Sequence, residues 1–293
     1  MNVNSRSIIT VVVWISALLT APGATTQSTK PASKTATTDA HDRTVRITPI
    51  GQRTGEYCAR DRALLFEDPT GIRILYDPGV TVTGGFDRRL GAVDAILVSH
   101  NHFDHLGYRK LTQNPDDPQS SCDDSPQTTP TGNTTTAEIA AAKNSVVLVN
   151  GSMEVFLSQK IQNISGGVDG CPSAGWNEIV VPNPSPSTCG LAFGATRILT
   201  HAAGTPGVRI NTVAALHSDS LYNPPLLVPA DGLGKSLGDN GLQGYDGLAM
   251  GFVLTFTNGL RVYLTGDTGP TSDMALIVRG IYHPNLTVAN MDG

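Results

Sequence analysis

The residues His100-Asn101-His102-Phe103-Asp104-His105 put three imidazoles and a carboxylate into one short stretch. Of the 7 histidines in the chain, 3 stand here, so a chance scatter over a polar loop is a poor account of them. In an extended backbone His100 and His102 face the same side. They can grip one ion while Asp104 and His105 turn towards a second. Imidazole and carboxylate donors together suit zinc, one ion or two, and also manganese or iron. His217, Asp267 and Asp77 are further candidates, because each stands where an apolar run ends. His201 is the rival of His217, which is preferred because an apolar strand leads straight into it.

The elements that must position these groups are readable in outline. Arg43 to Pro49 alternates as a first strand. Ala63 to Glu67 and Ile72 to Tyr76 flank the turn sequence Asp68-Pro69-Thr70-Gly71 and predict a hairpin, which delivers the chain to Asp77-Pro78-Gly79. Ala92 to Ser99 is a near-continuous apolar run, the pattern of a strand buried on both faces, and it ends at His100. Pro115 to Asn133 reads as a long irregular insertion. Thr135-x-x-Glu138 is a capping box before an Ala-rich helix ending near Asn144. Val146 to Val149 is a short strand, and Ser152 caps a second helix with Met153, Phe156, Leu157 and Ile161 on one face. Val208 to Leu216 ends at His217. Phe252 to Thr257 and Leu260 to Thr265 enclose Asn258-Gly259, a strong hairpin signal, and the second strand runs into Gly266-Asp267. Ligands gather outside the carboxyl ends of strands in open α/β sheets, so four such ends can meet at one place.

Composition limits the class. Gly 31 and Pro 19, with 5% aromatic residues, point to a turn-rich α/β or β protein rather than a helical bundle. The net charge of −5 and the lack of a basic run argue against a nucleic-acid partner. Residues 1–23 read as a signal peptide: a polar start with Arg6, an apolar stretch from Ile8 to Leu19, and small residues around Ala21 to Ala24. Membrane contact is expected only through that segment, with the mature chain secreted or periplasmic. Residues 24–42 form a polar, disordered linker, and 43–293 the folded domain. In an oxidising compartment Cys58, Cys122, Cys171 and Cys189 can form two disulfides in three connectivities; Cys171 with Cys189 would close a Pro/Ser-rich loop. No Gly-rich phosphate loop and no G-x-S-x-G nucleophile turn is present.

At His100-x-His102-x-Asp104-His105-Leu106-Gly107 the chain resembles the metallo-β-lactamase superfamily, over about Arg43 to Gly293. Val213 to Ser218 is similar to the segment that supplies the next histidine, His217. Tyr263 to Gly269 is similar to the segment that supplies a bridging aspartate, Asp267. The branch with ascorbate-phosphate lactonases and acyl-ethanolamine phospholipases is the nearer resemblance. The resemblance implies a four-layer αβ/βα sandwich, with His100, His102 and His217 on one ion, Asp104 and His105 on a second, Asp267 between them, and Asp77 supporting from behind. It implies hydrolysis of an ester, lactone, amide or phosphoester bond in a small-molecule substrate by a metal-bound hydroxide, with Asp104 orienting the attacking water. The family continues past the strand that Leu286 to Met291 resembles and adds a last histidine. No histidine follows His283 here, so the domain is expected to be C-terminally short and the second site to lack a ligand. A non-catalytic metal-binding module is therefore the competing class. A true β-lactamase is a second enzyme reading, although those enzymes commonly use other ligands where Asp267 stands. The loop from Ser218 to Gly247 is expected over the site, its apolar first half lining a pocket.

Overall fold

The computed structural model describes residues 44–50, 62–111, 128–130, 132–217, 220–221, 244–245 and 247–290. The signal-peptide and linker readings, Cys58, Cys122, and nearly all of the 218–247 loop lie outside these residues. Along the chain the strands begin with β1 (Arg46–Pro49), β2 (Leu64–Glu67), β3 (Arg73–Tyr76) and β4 (Ala95–Leu97). A single helical turn, α1 (Phe103–Leu106), precedes the short pair β5 (Arg109–Leu111) and β6 (Thr128–Pro130). Helix α2 (Thr135–Lys143), strand β7 (Val146–Asn150) and helix α3 (Gly151–Ser165) follow. Then come β8 (Glu178–Val180), β9 (Ser187–Leu191), β10 (Thr196–Thr200) and β11 (Val208–Ala214). After the two-residue pair β12 (Ser220–Leu221) and β13 (Gly244–Tyr245), the chain adds β14 (Met250–Thr255), β15 (Arg261–Asp267), a π-helix over Met274–Tyr282, and β16 (Leu286–Asn290).

Two six-stranded sheets result, ordered β1-β2-β3-β4-β7-β9 and β16-β15-β14-β11-β10-β8. Their facing sides make the main core. Phe66, Ile74, Tyr76, Leu97 and Leu148 from the first sheet meet Ile210, Phe252, Leu254 and Leu264 from the second. The other side of the first sheet is equally apolar. Leu65, Leu75, Ile96, Val98, Val147 and Val149 pack on Ala137, Ile139 and Ala140 of α2 and on Met153, Leu157 and Ile161 of α3. The far side of the second sheet carries Val213, Val253 and Tyr263 against Val278 of the π-helix. Each central strand is thus buried on both faces, which is why the run through Val98 shows no polar alternation. The order helix, sheet, sheet, helix is the four-layer sandwich that the resemblance implies.

Local signals held with small shifts. The Asp68–Gly71 turn joins β2 and β3 in an antiparallel pair, and Asn258-Gly259 joins β14 to β15. Helix α2 is capped one residue earlier than the capping box predicts: the Thr134 side chain accepts a bond from Ala137 N. Helix α3 is capped by Asn150, which accepts from Ser152 N, rather than by Ser152 itself. In both cases a competing hydrogen-bonding side chain upstream met the first free amides. Of the insertion predicted over Pro115 to Asn133, Thr128–Pro130 is a strand paired with Arg109–Leu111. Strands β8, β9 and β10 and the π-helix lacked a legible period and were missed. Cys171 and Cys189 are joined in a disulfide that closes an 18-residue separation.

Strand direction then gathers the candidate groups on one rim. β3 and β4 are parallel, so Asp77 and the Ser99-His100 segment leave the first sheet at the same end. β11 and β15 both pair antiparallel with β14, so they run the same way and release His217 and Asp267 together. The sheets are tied at this rim by Met250 N donating to Ser99 O at 2.9 Å and by Gly266 N donating to the Tyr76 hydroxyl at 3.2 Å.

Candidate metal centre

The chain stays extended through His102 (φ −64°, ψ 153°) and then makes the single turn α1, which ends at Gly107 with φ +79°. His100 and His102 therefore lie side by side, their rings 4.6 Å apart, while Asp104 and His105 are carried round the turn. His217 completes the first group: its ring is 5.0 Å from that of His100 and 4.9 Å from that of His102. It is held by its neighbours' backbone, since Leu216 N donates to Thr268 Oγ1 at 2.8 Å. The possible ligand atoms of His100, His102 and His217 all lie within 4.8 Å of one another. His100, His105 and Asp267 meet the same limit.

Behind these rings is a buried polar anchor built on Asp77, fully excluded from solvent. Its Oδ1 accepts from Ser99 N at 2.8 Å and its Oδ2 from Ser99 Oγ at 2.7 Å. The same Oδ2 lies 2.7 Å from His105 Nδ1. Carboxylate acceptance makes Nδ1 a protonated nitrogen and turns His105 Nε2 towards Asp104 and Asp267. Ser99 Oγ also lies 3.0 Å from His100 Nδ1. With its proton given to Asp77, that hydroxyl accepts from His100 Nδ1–H, which leaves Nε2 as the one donor atom of His100. That nitrogen is buried without a hydrogen-bond partner, as is Asp267 Oδ1. Buried polar atoms left unmatched cost stability unless a ligand satisfies them, so this donor set fits a metal ion.

The electrostatics agree. Burial, then the charges of His105, His102 and His217, hold His100 well below the usual imidazole range; burial and His217 lower His102. Both are neutral at pH 7, the form that binds metal. Burial also opposes charge on His105, but the Asp77 charge, hydrogen bonds to Asp267 and Asp77, and Asp104 outweigh it and push it up to about 10. Burial raises the Asp267 carboxyl, yet the His105 hydrogen bond and the charges of His105, Arg62 and His217 hold it below the ordinary value.

The structure brings together every residue singled out from the sequence as a site group. His105 Nε2 lies 3.6 Å from Asp104 Oδ2 and 3.3 Å from Asp267 Oδ2. His201 is elsewhere, exposed, its ring nitrogens 3.0 Å from Val181 O and Thr70 O. His283 is an exposed cap of the π-helix. One participant was missed. Arg62 is buried, with Nε donating to Asp104 Oδ2 at 3.3 Å and a terminal nitrogen donating to Asp267 Oδ2 at 3.5 Å. Its signal lay in the hairpin register. Leu64 pairs with Tyr76, so two residues further along Arg62 comes level with Pro78, beside Asp77.

Gly79 sets how closely the Asp77 turn approaches the histidine segment. Its N donates to His105 O at 3.0 Å, its φ is +56°, and a Cβ there would lie 2.1 Å from Asp104 O. Gly71 also has positive φ (+91°), but open space around its Cβ position. Gly79→Ala should therefore cost roughly 2 kcal/mol more than Gly71→Ala in urea unfolding, because only the first adds a backbone clash to the strain. Equal losses would show that the turn yields freely.

The profile of the β-lactamase superfamily domain matches residues 60–178, the stretch that contains Arg62, Asp77 and the His100–His105 motif. Over those residues the chain is similar to the β-lactamase superfamily domain. It is 26% identical over 230 residues to a UPF0173 metal-dependent hydrolase of Herpetosiphon aurantiacus, covering 77% of this chain and 66% of that protein. It is 28% identical over 234 residues to one of Cupriavidus necator, covering 77% and 59%. A third, from Polaromonas sp., is 28% identical over 206 residues, covering 70% and 52%. The chain thus spans from about half to just under two thirds of the length of these relatives. Among solved structures, it is similar to Igni18, a metallo hydrolase of Ignicoccus hospitalis, at 20% identity and a TM-score of 0.42, covering 77% of this chain and 65% of that one. It is also similar to the isothiocyanate hydrolase from Delia radicum gut bacteria, at 16% identity and a TM-score of 0.36, covering 78% and 68%.

Proposed function

We propose that this chain carries the metal centre of a hydrolase acting on an ester, lactone, amide or phosphoester bond of a small molecule, in an exported protein. The observation that carries the reading is the convergence of His100, His102 and His217 beside the Asp104 and Asp267 carboxylates. These imidazoles would hold one divalent ion, zinc by the nature of the donors, with manganese or iron as other occupants. When bound, such an ion supplies Lewis acidity and makes a coordinated water acidic enough to act near pH 7. The chain's own residues do the rest. Ser99 and Asp77 lock the tautomers of His100 and His105. Asp104, with its side chain 13% exposed, is the carboxylate of the centre most open to solvent. Its Oδ2 is placed to orient the attacking water and to accept its proton. Asp267 and Arg62 hold Asp104 and His105 in register.

The export half of the reading is supported by the leader-like first 23 residues and by the Cys171–Cys189 disulfide. The activity half is tested by measuring bound metal per chain and screening lactone, phosphodiester and β-lactam substrates, with His102→Ala as control. Turnover that chelation abolishes and His102→Ala lacks is the expected result. Metal bound without turnover of any substrate would favour a non-catalytic binding module, and no metal would refute the reading.

A further inference from the structure

We infer that the centre is built for one divalent ion, and that the Arg62 guanidinium supplies the positive charge of the carboxylate half. The inference rests on the metal-centre reading above. His100 belongs to both groups of potential ligands, yet Ser99 Oγ engages its Nδ1 and leaves one nitrogen to give. Two ions cannot both take it. Once His100 joins His102 and His217, the other half consists of Asp104, His105 and Asp267. Arg62 lies within that half, its side chain 6% exposed, bridging Asp104 Oδ2 and Asp267 Oδ2. A guanidinium is a permanent cation with donors fixed in a plane. A buried carboxylate pair demands such a partner, because an uncompensated buried charge is very costly.

A second divalent ion would have to share Asp104 and Asp267 with a cation already seated on them. Arg62 thereby acts as a positioning residue that holds Asp104 towards the reacting water and keeps the carboxylate half closed to metal.

Cobalt titration of the metal-free chain tests this, read by the visible absorption of the bound ion, with equilibrium dialysis and elemental analysis for stoichiometry. Wild type should saturate at about one equivalent, and Arg62→Gln, which keeps the shape and removes the charge, at about two. Arg62→Lys keeps the charge and should remain at about one. Two equivalents in wild type would overturn the inference and leave the metal-centre reading intact. One equivalent in both wild type and Arg62→Gln would overturn the exclusion by Arg62. No bound cobalt in wild type would refute both. If Arg62→Gln does not fold, the wild-type count and Arg62→Lys decide.

Discussion

His100→Ala is expected to lower metal affinity by roughly three orders of magnitude, the largest effect of any single change in the molecule. Structural zinc sites bind with about 10–16 kcal/mol, so one of three or four ligands carries on the order of 3–4 kcal/mol. His100 stands above that share because Ser99 engages its Nδ1 and fixes its other nitrogen among the ligand atoms of His102 and His217. It is fully buried, so no water can take its place without reorganisation. Its own burial also keeps it neutral, so no proton need leave when metal arrives. Competition with a chromophoric chelator gives the affinity. A loss below tenfold would mean that His100 is a core histidine and that the ion sits elsewhere.

Asp77→Asn is expected to cost roughly 4 kcal/mol of stability and about 10–100-fold in metal affinity. Asp77 accepts from Ser99 N, Ser99 Oγ and His105 Nδ1 at 2.7–2.8 Å. An amide can replace one of those oxygens but puts an N–H where two protons already point. Its φ of +40° is tolerated by asparagine, so the backbone is spared and the change isolates the charge. Asp77→Ala adds strain to the same loss and should be worse.

A pH signature separates this role from simple packing. In metal-free protein His105 is held up to about 10, chiefly by Asp77 against the penalty of burial. Its ordinary value is 6.5, so the unfolded chain gives up the proton first. The stabilisation is therefore complete below about 6.5, falls as pH rises, and is gone above about 10. Urea midpoints between pH 6 and pH 10 should slope downward in wild type and much less in Asp77→Asn. Parallel slopes would show that Asp77 is not the group that charges His105.

How much of this was legible depends on how local each signal was. The Asp68–Gly71 and Asn258-Gly259 turns need only their own residues, so both hairpins were readable to within a residue or two. The apolar run from Val93 to Val98 marks a doubly buried strand without any partner being known. Strands β8 to β10 are short and mixed in polarity, and they exist because a sheet edge and a disulfide receive them. The π-helix depends likewise on the outer face of the second sheet.

For the centre, the sequence by itself determined the donors and their class: three imidazoles and a carboxylate in one motif, with His217 and Asp267 at the ends of strands. Ligand chemistry is a property of residue type and spacing, and those are written in one dimension. Only the tertiary structure decided what stands among the donors. It places Ser99 between two imidazoles and so leaves His100 a single nitrogen to give. It also brings Arg62 across the hairpin, from 42 positions before Asp104 and 205 before Asp267, onto both carboxylates. The hairpin register brings Arg62 level with the Asp77 turn, but which carboxylates it meets is not written locally, because an arginine before a strand looks the same whether it ends in water or in a buried site.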